Sequence, residues 1–388
     1  MKARIKRRVL AGLIPIYVAD LFFSFHYNSV IYVNSSFLEK FFSVDLVSLL
    51  FILGSIGSII LFFLAVGLEK KLGNRIFFFL FLILEALAVL GMAIIQTPFY
   101  IALSFILLQS ASVMVFYSLD IFLEDATPEK ETGSVRGIYL TLLNIAVLLS
   151  PMMIALFAPN GEFIRLYIMS LLCLIPLFLL GIFSFKHFKD ERQHFNSLPI
   201  ISWWRHKNIR RVTLVRLTLN IFYSLAVIYI PIYLHQNIGF SWTQISIIFT
   251  IMLLPFVLFE IPVGRLADRW CGEKEFMTLG LFILGTTLLV IPFLKTPDVI
   301  AWAVLLFISR IGASFIEIAS ESYFFKQVDT KDLGMISIFR MTWPMAFIIG
   351  PFLAILSINT LGFTGLLLLM ALFVFKTMNS STKLRDTR

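Results

Sequence analysis

The sequence predicts an all-α membrane protein of twelve transmembrane helices in two pseudo-symmetric six-helix bundles. Three observations carry that expectation. Of 388 residues, 59% are hydrophobic and only 14% charged, with 42 phenylalanines, and the mean hydropathy is +0.92; a soluble chain of this size needs far more charge on its surface. The apolar residues fall in continuous runs of about 20, the length that crosses a bilayer as a helix, whereas barrel strands alternate over about ten. Lys and Arg are sorted between alternate loops, as they are in helical membrane proteins.

The chain opens on Lys2, Arg4, Lys6, Arg7 and Arg8, followed by an apolar run at 9–33. Basic residues before such a run resemble a signal peptide. This run carries Asp20, continues too far and lacks an A-x-A cleavage site, so it is expected to stay as the first span. Spans 2 to 6 follow at 46–67, 76–96, 98–119, 134–157 and 164–185. A basic stretch then divides six spans from six, with Trp203 and Trp204 beside Arg205 and Lys207. It reads either as an amphipathic segment at headgroup level or as a solvated linker. Spans 7 to 12 are expected at 211–234, 242–263, 276–295, 299–323, 333–357 and 361–378. The organisation is thus an N-terminal bundle at 1–185, a cytoplasmic linker at 186–210 and a C-terminal bundle at 211–388.

An even number of spans puts both termini on one side, and the basic residues choose it. With the N-terminus inside, outer segments hold only Lys40, Arg165 and Lys295; Arg216, Arg310 and Arg340 lie within spans, and the other 26 of the 32 Lys and Arg residues are inside. Both termini are therefore expected in the cytoplasm, in a protein integral to the cell membrane. The net charge of +9 reports this topology, and nucleic acid is not an expected partner. Cys173 and Cys271 lie too far apart to suggest a disulfide framework or a metal site.

The halves echo one another. Pro351 follows Pro151 by 200 residues, Glu321 follows Asp120 by 201, and Arg310 follows Gln109 by 201. Matching positions of this kind are what repeat-built transporters show. Each proline removes one helical hydrogen bond and can bend its span.

Between spans 8 and 9 stands the run Gly264, Arg265, Leu266, Ala267, Asp268, Arg269, Trp270, Cys271, Gly272, Glu273, Lys274. The pattern G-x-L-A-D-R-x-x-G-x-K resembles the loop signature of the major facilitator superfamily of secondary transporters, which joins spans 2 and 3 and has a copy between spans 8 and 9. The second glycine comes one residue late, so either Cys271 replaces it or one residue is inserted. The counterpart turn at Gly67–Arg75 is degenerate, with Lys70 where the family has its acid. Arg310, Ile311, Gly312 and Ala313 resemble the family's second signature, an arginine that supports the loop. The resemblance implies a latch on the cytoplasmic gate. Asp268 would face the start of span 5 at Thr132, Gly133 and Ser134, with Arg269 and Glu260 completing a cluster around Arg136. The plainer alternative is an ordinary charged turn between two helices.

No G-x-x-x-x-G-K-[ST], H-E-x-x-H or G-x-S-x-G pattern occurs, so neither ATP-driven pumping nor hydrolase chemistry is expected, and no cofactor. The energy source expected is a solute or ion gradient. Ionisable residues inside spans cost about 2.5–3.5 kcal/mol each on insertion scales and mark cavities or partners. They are Asp20, Glu85, Arg216, Arg310, Glu317 and Arg340. Arg310, Glu317 and Glu321 share one helical stripe, and Gly312 and Ala313 are small enough for a neighbouring helix to approach. The resemblance further implies that spans 1, 4, 7 and 10 line a central cavity. That gives Asp20, His26, Tyr27, Gln109, Tyr117, Arg216, Asn220, Tyr223, Arg310 and Glu317 as candidate lining. Asp20, His26 and Glu317 are the candidates for holding a coupling proton. Glu85 lies in a peripheral span and is expected to be protonated or paired. The expected partner is a small solute, with protons as possible co-substrate and a monomeric protein; the rival reading is a receptor or scaffold that keeps the fold and transports nothing.

Overall fold

The computed structural model describes residues 2–127, 132–185, 200–267, 272–328 and 333–385. These form two compact units, Met1–Arg192 and Gln193–Arg388.

The first unit holds α1 (Lys2–Ile31), α2 (Asn34–Leu38), α3 (Val44–Leu72), α4 (Asn74–Ile94), α5 (Pro98–Ala126), α6 (Thr132–Phe157), α7 (Ile164–Leu172) and α8 (Ile175–Phe183). Its helix starts are local and chemical. Ser43 accepts from Leu46 N to cap α3, and Pro98 opens α5 where its missing N–H costs nothing. The core is aromatic: Phe23, Phe77, Phe78, Phe81 and Phe122 are buried together. Several rings meet edge to face, as for Phe78 and Phe122 at 5.7 Å.

The second unit holds α9 (Ile200–Arg205), α10 (Lys207–Ile232), α11 (Trp242–Leu266), α12 (Glu273–Val290), α13 (Val299–Gln327), α14 (Leu333–Arg340) and α15 (Thr342–Thr382). A capping box of Ser241 and Gln244 starts α11, and Asp298 caps α13 by accepting from Ile300 N and Ala301 N. Part of the expected linker is therefore helical, since α9 and the first turn of α10 fall inside it; residues 186–199 lie outside the described residues.

Among the described residues, ten helical stretches are long and apolar enough to cross a bilayer. The last of them, 334–382, changes direction at Gly362, where φ is 67°. Only a residue without Cβ takes that conformation cheaply, and the break divides spans 11 and 12 without a charged loop. With α1, thirty residues long, every expected run is matched by helix.

The units repeat the same packing. α3 and α4 lie on α5 as α11 and α12 lie on α13, and α1 meets α6 as α10 meets α15. Helix outer faces carry exposed apolar side chains such as Phe99, Phe183, Phe293 and Ile300, between 70 and 81% accessible; lipid solvates these at no hydrophobic cost. α10 is the interior helix: 83% of its most apolar window is buried, against 22% for α6.

Small residues bring helices close where the sequence led us to expect it. A Cβ on Gly280 would sit 2.6 Å from Gly312 O, and one on Gly312 would sit 2.7 Å from Gly280 O, so α12 and α13 touch backbone to backbone. The loop signature is also clarified. Gly73 and Gly272 both take φ near 76–79° directly before α4 and α12. Gly73 N bonds back four residues to Glu69 O, whereas Gly272 N bonds back five, to Ala267 O. Gly272 is thus the signature glycine, and the second-half turn carries one inserted residue.

Candidate functional site: buried ionisable clusters in the two units

In the second unit, Arg216, Asn220 and Tyr223 lie along one side of α10, at i, i+4 and i+7. Arg216 Nη2 is 3.0 Å from Glu317 Oε1 on α13, and Arg216 Nη1 is 3.9 Å from Glu321 Oε2. Tyr223 donates its hydroxyl to Glu317 Oε2 at 2.7 Å. Arg340, at the end of α14, closes the chain of charges on Glu321 Oε1 at 2.7 Å. The Arg216 and Glu317 side chains are 12% and 30% accessible, so the pair is partly desolvated yet reachable. Around it stand aromatic rings: Tyr223 is 6.2 Å from Phe256 and 6.3 Å from Trp343, and Trp343 is 5.2 Å from Phe347. The arrangement offers a carboxylate, a guanidinium and flat apolar faces in one place.

Two more residues of the expected lining make contacts within the second unit. Asn220 is buried and donates to Thr342 Oγ1 at 2.9 Å, tying α10 to α15. Arg310, also buried, holds its guanidinium 4.6 Å from the ring centre of Phe222 and 5.9 Å from that of Tyr223, a cation–π placement. Gly264 lies opposite Ile318, eight residues and so about 12 Å along α13 from Arg310. Asp268 and Arg269, and the side chains of Arg136 and Glu260, lie outside the described residues.

In the first unit, His26 and Glu85 are both fully buried, with Nε2 and Oε1 3.0 Å apart. Ser112 donates to the same Oε1 at 2.7 Å. On the other side of the ring, Nδ1 lies 2.7 Å from Ser170 Oγ and 3.0 Å from Ser170 O. Ser170 can thus donate its hydroxyl to a neutral imidazole or accept from a protonated one through its carbonyl. His26, expected as cavity lining, faces α4 and α7 within its own unit. The paired reading of Glu85 holds. Sequence inspection missed Ser112 and Ser170, because hydroxyls are common in spans and only the geometry marks these two.

Asp20 is fully buried on α1. Ser24 donates to its Oδ1 at 3.4 Å, and Tyr139 of α6 hydrogen-bonds its carboxyl. Gln109 is turned onto α3, donating to Ser55 Oγ at 2.7 Å and Phe51 O at 3.3 Å. Tyr117 donates to Glu69 Oε2 at 3.1 Å, and Tyr27 stands edge-on to Phe116 at 5.6 Å.

A duplicated helical bundle that keeps ionisable groups inside its spans has the build of a membrane transporter. The chain belongs to the Major Facilitator Superfamily, whose family model matches residues 7–243 and again 212–377. Two crystal structures of the nucleoside transporter NupG are similar in fold. A point mutant matches with a TM-score of 0.77 and 13% identity, covering 96% of this chain and 100% of that one. A second NupG structure matches at 0.75 and 14% identity, covering 95% and 98%. No curated protein sequence matches.

Proposed function

We propose that the chain is a secondary transporter that carries a small polar solute by alternating access, with both termini cytoplasmic and a proton as coupling ion. The Arg216–Glu317–Tyr223 cluster is the observation that carries this reading. It places opposite charges and a phenol on α10 and α13, reachable and surrounded by aromatic faces, which suits a solute with hydrogen-bonding edges and a flat ring. The fold likeness to NupG makes nucleosides the first solutes to test. Asp20, buried beside Ser24 and Tyr139, is the proposed proton site. The Gly264, Asp268 and Arg269 loop is the proposed cytoplasmic latch against Arg136 and Glu260.

Uptake of a labelled nucleoside panel into proteoliposomes, with and without a pH gradient, tests the reading. Uptake should be driven by an inward proton gradient. Glu317→Gln should lower it at least tenfold, and Asp20→Asn should remove the gradient dependence while leaving solute counterflow. Asp268→Asn should slow uptake by weakening the latch. Uptake by Glu317→Gln at the wild-type rate would remove the cluster from the solute path.

A further inference from the structure

The foot of the second unit holds a concave site apart from the Arg216–Glu317 cluster. Its volume is about 530 Å³, and five cations line it: Arg205, Lys207, Arg211, Lys383 and Arg385. They come from three places in the chain: the end of α9, the start of α10 and the segment that follows α15. No acidic side chain lines the site among the described residues.

The backbone adds to the side chains. The lining includes Lys207, Asn208 and Ile209, the first turn of a 26-residue helix that has no acid in that turn and no side-chain cap. Arg210 N is the first to find a helical partner, His206 O. His206 N is taken by Ser202 O of α9, and the first turn of α10, with the positive end of its dipole, opens into the pocket. Cations converging on a helix N-terminus form an anion site, and phosphate oxygens match it best.

The flank identifies what carries the anion. On α9, Ile200, Ile201 and Trp204 are 59%, 71% and 62% accessible. The helix is held in place: Trp203 Nε1 donates to Thr213 Oγ1 at 3.2 Å, Arg210 donates to Trp204 O at 3.0 Å, and the Arg210 guanidinium lies 4.6 Å from the Trp204 ring centre. A fixed apolar edge beside a cationic pocket at a bundle end is how a protein meets the acyl–headgroup boundary. A freely diffusing phosphate would have no use for it.

We propose that this pocket binds the phosphate of an anionic phospholipid headgroup, with α9 seated in the same leaflet. The shared chemistry with inorganic phosphate is separated by experiment. Full-length protein is titrated with phosphatidylglycerol, phosphatidylcholine or inorganic phosphate. Bound lipid is read by native mass spectrometry and stability by thermal shift. The expected result is retention of phosphatidylglycerol and an upward shift that neither phosphatidylcholine nor inorganic phosphate reproduces. Lys383→Gln with Arg385→Gln should weaken that binding roughly thirtyfold, as removal of two interfacial charges predicts. These side chains can change without loss of the backbone contacts, since Lys383 and Arg385 use their carbonyls to accept from Arg211 and Tyr323. Ile201→Ser with Trp204→Ser should also weaken the lipid. Unchanged phosphatidylglycerol retention in the charge variant would overturn the proposal, as would an equal shift with inorganic phosphate.

Discussion

The His26–Glu85 pair separates a structural clasp from a working proton site, and one substitution series tests which it is. Glu85→Ala deletes an acceptor that serves two buried donors, His26 and Ser112. Ser112 keeps Leu108 O as an acceptor at 2.7 Å, so the imidazole is the orphaned group, at about 1–3 kcal/mol. One-sided removal of a buried pair costs about 3–5 kcal/mol, so the loss should lie in that range. Glu85→Gln keeps a carbonyl oxygen at the position that accepts from Ser112 and should cost only about 1 kcal/mol. Replacing both members, His26→Leu with Glu85→Leu, removes donors and acceptor together and should be much milder than Glu85→Ala. The measurement is equilibrium unfolding of purified protein in mixed micelles with increasing SDS, read by circular dichroism, alongside uptake in proteoliposomes. A clasp gives strong coupling in the double-mutant cycle and normal proton-driven uptake in Glu85→Gln. Independent, additive losses would refute the pair as the source of stability. Loss of proton-driven uptake in a stably folded Glu85→Gln would show that the pair handles the coupling proton.

Other perturbations follow from single distances. Gly280→Ala places a methyl 2.6 Å from Gly312 O and should destabilise by about 1–3 kcal/mol through forced separation of α12 and α13. Gly67→Ala, with open space around it, should be neutral or slightly stabilising in the same assay. Arg340→Ala should cost less than about 1 kcal/mol, because its side chain is 47% accessible and an exposed ion pair is worth little. Arg216→Ala should cost more in stability and should also abolish uptake. Glu39, after the short α2, has its carboxyl pushed up to about 7 by burial. An acid raised in the folded state destabilises it once ionised, so stability should fall as pH rises from about 4.5 to about 7. Glu39→Gln should flatten that fall; an unchanged profile would remove Glu39 as its cause.

The fold was legible because lipid removes alternatives. A run of apolar residues long enough to span must satisfy its own backbone, so length alone names the helix. Cations alternate between rich and poor loops along the chain, and Pro151 and Pro351 betray the duplication. The expected interval between the last two runs, 358–360, falls two residues before the break at Gly362, and no charge marks it. The extra residue in the second-half turn was visible only as a choice between Cys271 and an insertion. The positive φ of Gly272 and its five-residue closure decide it.

The sites were less legible because periodicity fixes a residue's face and depth but not the helix opposite. Arg310, Glu317 and Glu321 do lie on one stripe of α13, yet they meet different neighbours. Seven residues advance about 10 Å along the axis and drift about 20° around it. Over that distance the facing surface of α10 changes from Phe222 and Tyr223 to Arg216. Arg310 therefore meets rings, while the two acids meet a cation. His26 and Asp20 pose the same problem on α1. Six residues apart, they point to different neighbours, one to Glu85 and Ser170 and the other to Ser24 and Tyr139. A charge count for the spans cannot tell a clasp from a binding group. The partner can: where an acid's partners are buried with it, as for Glu85, stability should depend on the contact. Where the pair stays reachable, as for Arg216 and Glu317, a solute can compete for it, and transport should be the more sensitive readout.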